Sequence, residues 1–187
     1  MKFCQSRAAV HADAAALTNE AGESDLRAFD RLARALADAQ SAGCAPVLIL
    51  SAAGARQAET AVSLCRNVFL FTKFLTEYGC RAALLTPGHP GRDALVSALD
   101  ALLEGGAVPM IAAGRADIKE TAELAALART DRLVLLSRAD ESPAVRLTAA
   151  DGIPAVTVSV RDPQALRAAL AGAYGASPVL ARRRTDA

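Results

Sequence analysis

Short, continuous apolar runs recur along this chain, each separated from the next by a segment whose apolar residues return every three or four positions, and this alternation constrains the fold more than any other feature. A run too brief for a helix, held between two amphipathic helices, is stable as a strand buried on both faces. PVLIL at 46–50 is the clear case, and RAALLT at 81–86, AVPMIAA at 107–113, RLVLLS at 132–137 and IPAVTVSV at 153–160 read as further strands. In the helix expected over 24–40, Leu26, Phe29, Leu32, Ala33 and Leu36 share one face, while Arg27, Asp30, Arg31, Arg34 and Asp38 cover the other. Ser24 is its expected N-cap and Gly43 follows its end. The segment 91–106 reads as a helix ending at Gly105 and Gly106, and 117–130 as one opened by Asp117 with Glu120 three residues later, the spacing of a capping box. A further helix starts at Asp162 with Pro163 in its first turn, and SPVLA at 177–181 is expected to add a closing strand. Strands alternating with helices in this way imply right-handed crossovers and a mostly parallel sheet covered on both faces. Residues 7–20 fit a helix about as well as a loop.

The helix expected over 59–78 differs from the rest because its apolar positions run almost all the way round. Leu64, Val68, Phe71, Leu75 and Tyr78 form one stripe, and Cys65, Phe69 and Phe74 widen it, with Leu70 beside the polar strip of Arg66, Lys73 and Glu77. One sheet face cannot bury all of these, so the helix is either central in the monomer or shared with a second subunit.

At 187 residues the chain suits one domain, 1–187, with 182–187 a frayed, solvated tail. Its 21 basic against 20 acidic side chains give a charge of +1, too balanced for the concentrated positive field that nucleic acid or an anionic membrane requires. No apolar run reaches the ~20 residues of a membrane span, and the opening MKFCQSRAAVHADAAAL is too polar for a secretory signal, so a cytoplasmic protein is expected. Cys4, Cys44, Cys65 and Cys80 lack the spacing of a zinc site or redox pair and read as small buried hydrophobes. His11 and His89 are too few for a histidine-based metal centre, no metal site is expected, and no Ser/His/Asp or Cys/His set emerges from spacing. Neither a P-loop nor a GxGxxG motif occurs.

In parallel sheets ligands bind at the carboxyl ends of the strands, where loops meet helix N-termini. Four loops qualify: SAAGARQ at 51–57, TPGHPGR at 86–92, AAGRADIKE at 112–120 and SRADESP at 137–143. Ser51, Ala52, Ala53 and Gly54 are small enough to let backbone N–H groups approach a phosphate or carboxylate, or simply to let the chain turn. The two Gly and two Pro around His89 dictate a rigid turn. Asp117 stands where a helix dipole favours a carboxylate, and capping alone accounts for it; Lys119 in the same turn stands where a cation is disfavoured.

Taken in order, these segments resemble the amino acid kinase family. Met1-Lys2-Phe3 is similar to its opening strand with a phosphate-contacting lysine, PVLILSAAGA to its second strand and loop, and LLEGGAVPMIAAG to its LLExGxVPVI segment. The stretch 114–140 resembles the element in which a Gly-Ser-Asp or Asn-Ala-Asp triplet precedes an alanine-rich helix and an ADRLxLLTDVDG strand, and 152–180 resembles the closing strand, helix and strand. The resemblance implies a three-layer α/β/α sandwich that binds MgATP, transfers its γ-phosphoryl group to a carboxylate or related small acceptor, and forms oligomers through the helix at 59–78. It further implies that Lys2 contacts the transferred group with Asp117 orienting the phosphate-binding lysine. Ser51, Ala52, Ala53, Gly54 and Gly114 would hold the substrate, and Ser137, Asp140 and Arg146 would border the nucleotide.

Three departures stand out. Cys4-Gln5-Ser6 follows Lys2 where the family has Gly-Gly-Ser or Gly-Gly-Thr, the TDVDG element has become Ser137-Arg138-Ala139-Asp140-Glu141, and only Arg146 stands where a second phosphate-contacting lysine is expected. The chain is therefore either a minimal kinase with altered phosphate contacts or a non-catalytic subunit that keeps the fold and binds a ligand or partner protein. A further alternative is a phosphosugar-binding isomerase-type module, since SAAGARQAET followed by LLT resembles an SxSGET…T pattern, with Ala53 in place of the second Ser.

Overall fold

The computed structural model describes residues 6–52, 56–86, 91–138, 147–150 and 152–172. Within them the chain runs β1 (Ser6–Asp13), α1 (Leu26–Ser41), β2 (Cys44–Ser51), α2 (Gln57–Glu77), β3 (Arg81–Leu85), α3 (Arg92–Glu104), β4 (Ala107–Ala112), α4 (Ile118–Leu127), β5 (Arg132–Ser137), β6 (Leu147–Ala150), β7 (Ile153–Ser159) and α5 (Pro163–Leu170). One seven-stranded sheet has the order β3-β4-β2-β1-β5-β7-β6, with six parallel strands and β6 antiparallel at the edge. No helix among the described residues is long and apolar enough to cross a membrane.

The handedness of the crossovers assigns the helices to layers. From β1 to β2 and on to β3 the chain moves toward one edge; from β3 to β4 and on to β5 it moves back. Right-handed connections in opposite directions must lie on opposite faces. Accordingly α1 and α2 share one face with α5, burying Phe29, Leu36, Phe71, Leu75 and Leu166 against Val10, Leu48, Leu50 and Val134. α3 and α4 cover the other, burying Leu95, Leu99, Leu103 and Ala125 against Ala9, Val47, Ile49 and Leu133. The product is the three-layer α/β/α sandwich with a mostly parallel sheet that the sequence implied. Phe29 of α1 and Phe71 of α2 meet with ring centroids 4.7 Å apart and an interplanar angle of 53°, locking two helices of one layer together.

The largest difference from the sequence reading is β1. Sequence leaves residues 7–20 between helix and loop and likens Met1-Lys2-Phe3 to an opening strand; the first strand described is Ser6–Asp13, at the centre of the sheet, and Met1–Phe3 lie outside the described residues. Ala8, Ala9, Val10 and Ala12 are fully buried there. Alanine has little intrinsic strand preference, so SRAAVHAD gives no local strand signal; it is a strand because its small side chains fit between two helical layers. Arg7, on the α3/α4 side, donates from Nη1 to Asp100 Oδ1 of α3 at 2.9 Å and to the Ala128 carbonyl at 3.2 Å, fastening the start of β1 to both helices of that layer.

Smaller corrections have local causes. The N-cap of α1 is Asp25 rather than Ser24, its carboxylate accepting from the amides of Arg27 and Ala28. Helix α2 starts at Gln57, two residues earlier than expected. Cys44 and Cys80 are buried as expected, but Cys65 is exposed on the outer face of α2, and Cys4 lies outside the described residues. The closing strand expected at 177–181 and the tail also lie outside them.

Candidate functional site

The chain leaves β1 toward β2 and leaves β5 toward the opposite edge, so the carboxyl ends of β1 and β5 flank a topological switch point, where open α/β sheets bind ligands. Strand register decides which side chains gather there. Asp13 pairs with Ser51 across β1 and β2, and Ser137 pairs with Ser159 across β5 and β7. His11 pairs with Leu135, so Asp13 and Ser137 follow two residues later on neighbouring strands. Side chains two apart on a strand share a face, and Ala9, Ile49, Leu133 and Ala155 fix that face as the α3/α4 side. A polar row, Ser51–Asp13–Ser137–Ser159, thus crosses four adjacent strands at the carboxyl rim, with His11 one step behind Asp13.

The centre of the row is a closed cluster. Ser51 is fully buried, and its hydroxyl donates to Asp13 Oδ2 at 2.8 Å. His11 Nε2 lies 2.7 Å from the same Ser51 oxygen. A serine hydroxyl has one proton, here given to Asp13, so Nε2 of His11 is the donor and carries hydrogen. Burial pushes the His11 pKa below its ordinary value, and the Asp13 carboxylate opposes that shift only in part. A neutral imidazole that donates to Ser51, and a Ser51 proton held by a carboxylate, is the reverse of a nucleophilic triad, in which histidine accepts the serine proton. The cluster therefore does not activate Ser51.

The backbone around the cluster is also spoken for. After β1, the Ala14 amide donates to the Ser51 carbonyl at 2.8 Å and the Ala16 amide to the Asp13 carbonyl at 3.0 Å. The Ala15 amide donates to Asp13 Oδ1 at 2.9 Å. At the end of β2, the fully buried Ala52 donates to the Gly114 carbonyl at 2.7 Å, and Ala113 donates to the Leu50 carbonyl at 2.9 Å. Anion-binding loops need several backbone N–H groups converging on empty space; at these two strand ends they converge on the chain itself. Among the described residues, moreover, no three or more His, Cys, Asp and Glu side chains are grouped to hold a metal ion. The amides of Ala14, Ala15, Ala16, Ala52 and Ala113 are thus engaged within the chain.

Of the residues singled out from the sequence, Ser51, Ala52, Gly114 and Ser137 come together at this rim. Gly114 adopts φ +68°, a left-handed conformation that glycine takes without strain. Asp117 is the N-cap of α4, accepting from the Glu120 amide at 2.8 Å, while its own amide donates to Glu120 Oε2 at 3.2 Å, which is the reciprocal capping box its spacing suggested. Lys2, Ala53, Gly54, Asp140, Arg146 and His89 lie outside the described residues. His11 and Asp13 are the residues that sequence reasoning missed. Their signal was present as alternate positions of a strand end, but it becomes visible only once SRAAVHAD is known to be that strand.

Beside the cluster, α3 and α4 stand apart over a cleft of about 570 Å³, whose wall includes Leu95, Ala113, Ala116, Leu124 and Leu127, with Arg92 and Glu123 at its edges. Ala113 follows β4 next to the end of β2, so the cleft opens one strand away from Ser51.

No family model matches this chain, and no curated protein matches it in sequence. Among solved structures, one described as X-ray structures of isopentenyl phosphate kinase is similar, with a TM-score of 0.57 at 13% sequence identity, covering 89% of this chain and 96% of that one. At that identity the likeness is one of fold: the chain shares the α/β architecture of that structure.

Proposed function

We propose that this chain is a kinase-like protein of the amino acid kinase fold that binds a small molecule at the carboxyl rim of β1, β2 and β5 without transferring a phosphoryl group, and that works as a cytoplasmic subunit of an oligomer. The closed Asp13–Ser51–His11 cluster, with its spent backbone donors, carries this proposal. The cleft between α3 and α4 offers room for the body of such a molecule next to the polar row. Oligomerisation is supported by the outer face of α2, where Val62 and Phe69 are 58% and 67% exposed on either side of the exposed Cys65, an apolar stripe at helical spacing. Phe69→Glu is expected to dissociate the assembly in sedimentation, and a native chain that sediments as a monomer and captures no partner would remove this part of the proposal.

A second possibility is ATP-dependent phosphoryl transfer to a carboxylate or related small acceptor, with Lys2 and Asp117 as the catalytic pair and Mg²⁺ as the metal. The fold shared with a solved kinase favours it. Calorimetric titration separates the two. Millimolar MgATP without heat supports the non-catalytic protein, whereas saturable binding that weakens in Lys2→Ala supports the kinase. The same titration with sugar phosphates tests the isomerase-type alternative.

A further inference from the structure

We propose that the Asp13 carboxylate is a built-in anion at the switch point, filling the place an incoming phosphate or carboxylate would take and repelling it. This rests on the non-catalytic function proposed above and names the residue responsible. A bound anion at the end of a parallel strand is held by backbone N–H groups of the loop that follows, and a nearby hydroxyl can add a further donor. Asp13 receives both: the Ala15 amide at 2.9 Å on Oδ1 and the Ser51 hydroxyl at 2.8 Å on Oδ2. Ser51 Oγ lies in turn 2.7 Å from His11 Nε2, whose N–H holds the serine in this position. These groups come from two adjacent central strands and the turn after β1, where ligands of such sheets sit. An anion arriving there finds its donors occupied and meets a negative charge at contact distance.

Removing the charge while preserving the hydrogen bond from the Ala15 amide should therefore open the site. Asp13→Asn keeps an oxygen for the Ala15 amide, and Asp13→Ser keeps a turn-forming hydroxyl should the asparagine variant fold poorly. The probe is inorganic phosphate, titrated into the full chain by calorimetry against sodium chloride of matched ionic strength. Native chain should show no saturable phosphate binding, and the folded variants should bind phosphate at least about tenfold more tightly, the scale set by deleting one unit charge within about 4 Å of the ligand at a partly buried site. Asp13→Glu, which keeps the charge, should gain nothing. Phosphate binding by native chain equal to that of the variants, or no gain in either folded variant, would overturn the role given to Asp13. Binding of MgATP by native chain would instead overturn the non-catalytic function, so the two failures are distinct.

Discussion

Replacing Ser51 with alanine tests whether the cluster at the switch point is as tightly made as its distances indicate. The substitution deletes one oxygen from a fully buried position and with it two hydrogen bonds, of 2.7 Å to His11 and 2.8 Å to Asp13. Asp13 retains the Ala15 amide and is half-buried, so water recovers part of its loss. The Nε2–H of His11, behind the rim, loses the oxygen it donates to. A buried donor stripped of its partner costs about 1–3 kcal/mol, and a net loss of about 2 kcal/mol is expected. For a chain of this size that corresponds to a fall in Tm of about 4–8 °C. The assay is urea denaturation, in which the midpoint should drop while the slope stays constant, because the surface exposed on unfolding does not change. A destabilisation under about 0.5 kcal/mol, the range of an ordinary surface substitution, would refute a closed cluster and remove the basis for reading the rim as self-satisfied.

Two further outcomes follow from the same residues. Because burial lowers the His11 pKa in the folded chain, the unfolded chain takes up that proton first as pH falls; the stability is whole above the unfolded value of about 6.5 and is lost below it, down to the folded pKa, with a slope of at most about 1.4 kcal/mol per pH unit. Glutamine at position 11 can still donate to Ser51 but does not titrate, so denaturation at pH values on either side of about 6.5 should show a smaller acid loss in His11→Gln than in native chain; equal losses would exclude His11 as the source. At Asp117, Ala should cost about 0.5–2 kcal/mol as a lost N-cap, and Ser should restore most of it. If MgATP binding exists and Asp117→Ser abolishes it at unchanged stability, the carboxylate does more than cap α4.

The strands and helices legible in the sequence were those whose own residues settle the matter. PVLIL, AVPMIAA and the LVLL at the centre of RLVLLS are apolar runs because both faces of the sheet are covered there, and the capping residues Asp117, Glu120, Asp162 and Pro163 act within one turn of chain. Those interactions are local, so composition and spacing carry them. The excess of apolar residues on α2 was legible too, and Phe69 and Cys65 do remain exposed; the sequence could not say which of its large side chains the monomer would bury.

What the tertiary structure alone decided was β1 and everything that depends on it. An alanine-rich octapeptide has no conformation of its own to prefer, and only the space between α1 on one side and α3 with α4 on the other makes it the central strand. Once it is there, sheet register carries His11 and Asp13 to Ser51, about forty residues away in sequence, through hydrogen bonds that no spacing rule would propose. Sequence thus determined the alternating layers, because periodicity records burial one element at a time. The chemistry of the rim is a property of neighbouring strands, and it exists only where packing has set them side by side.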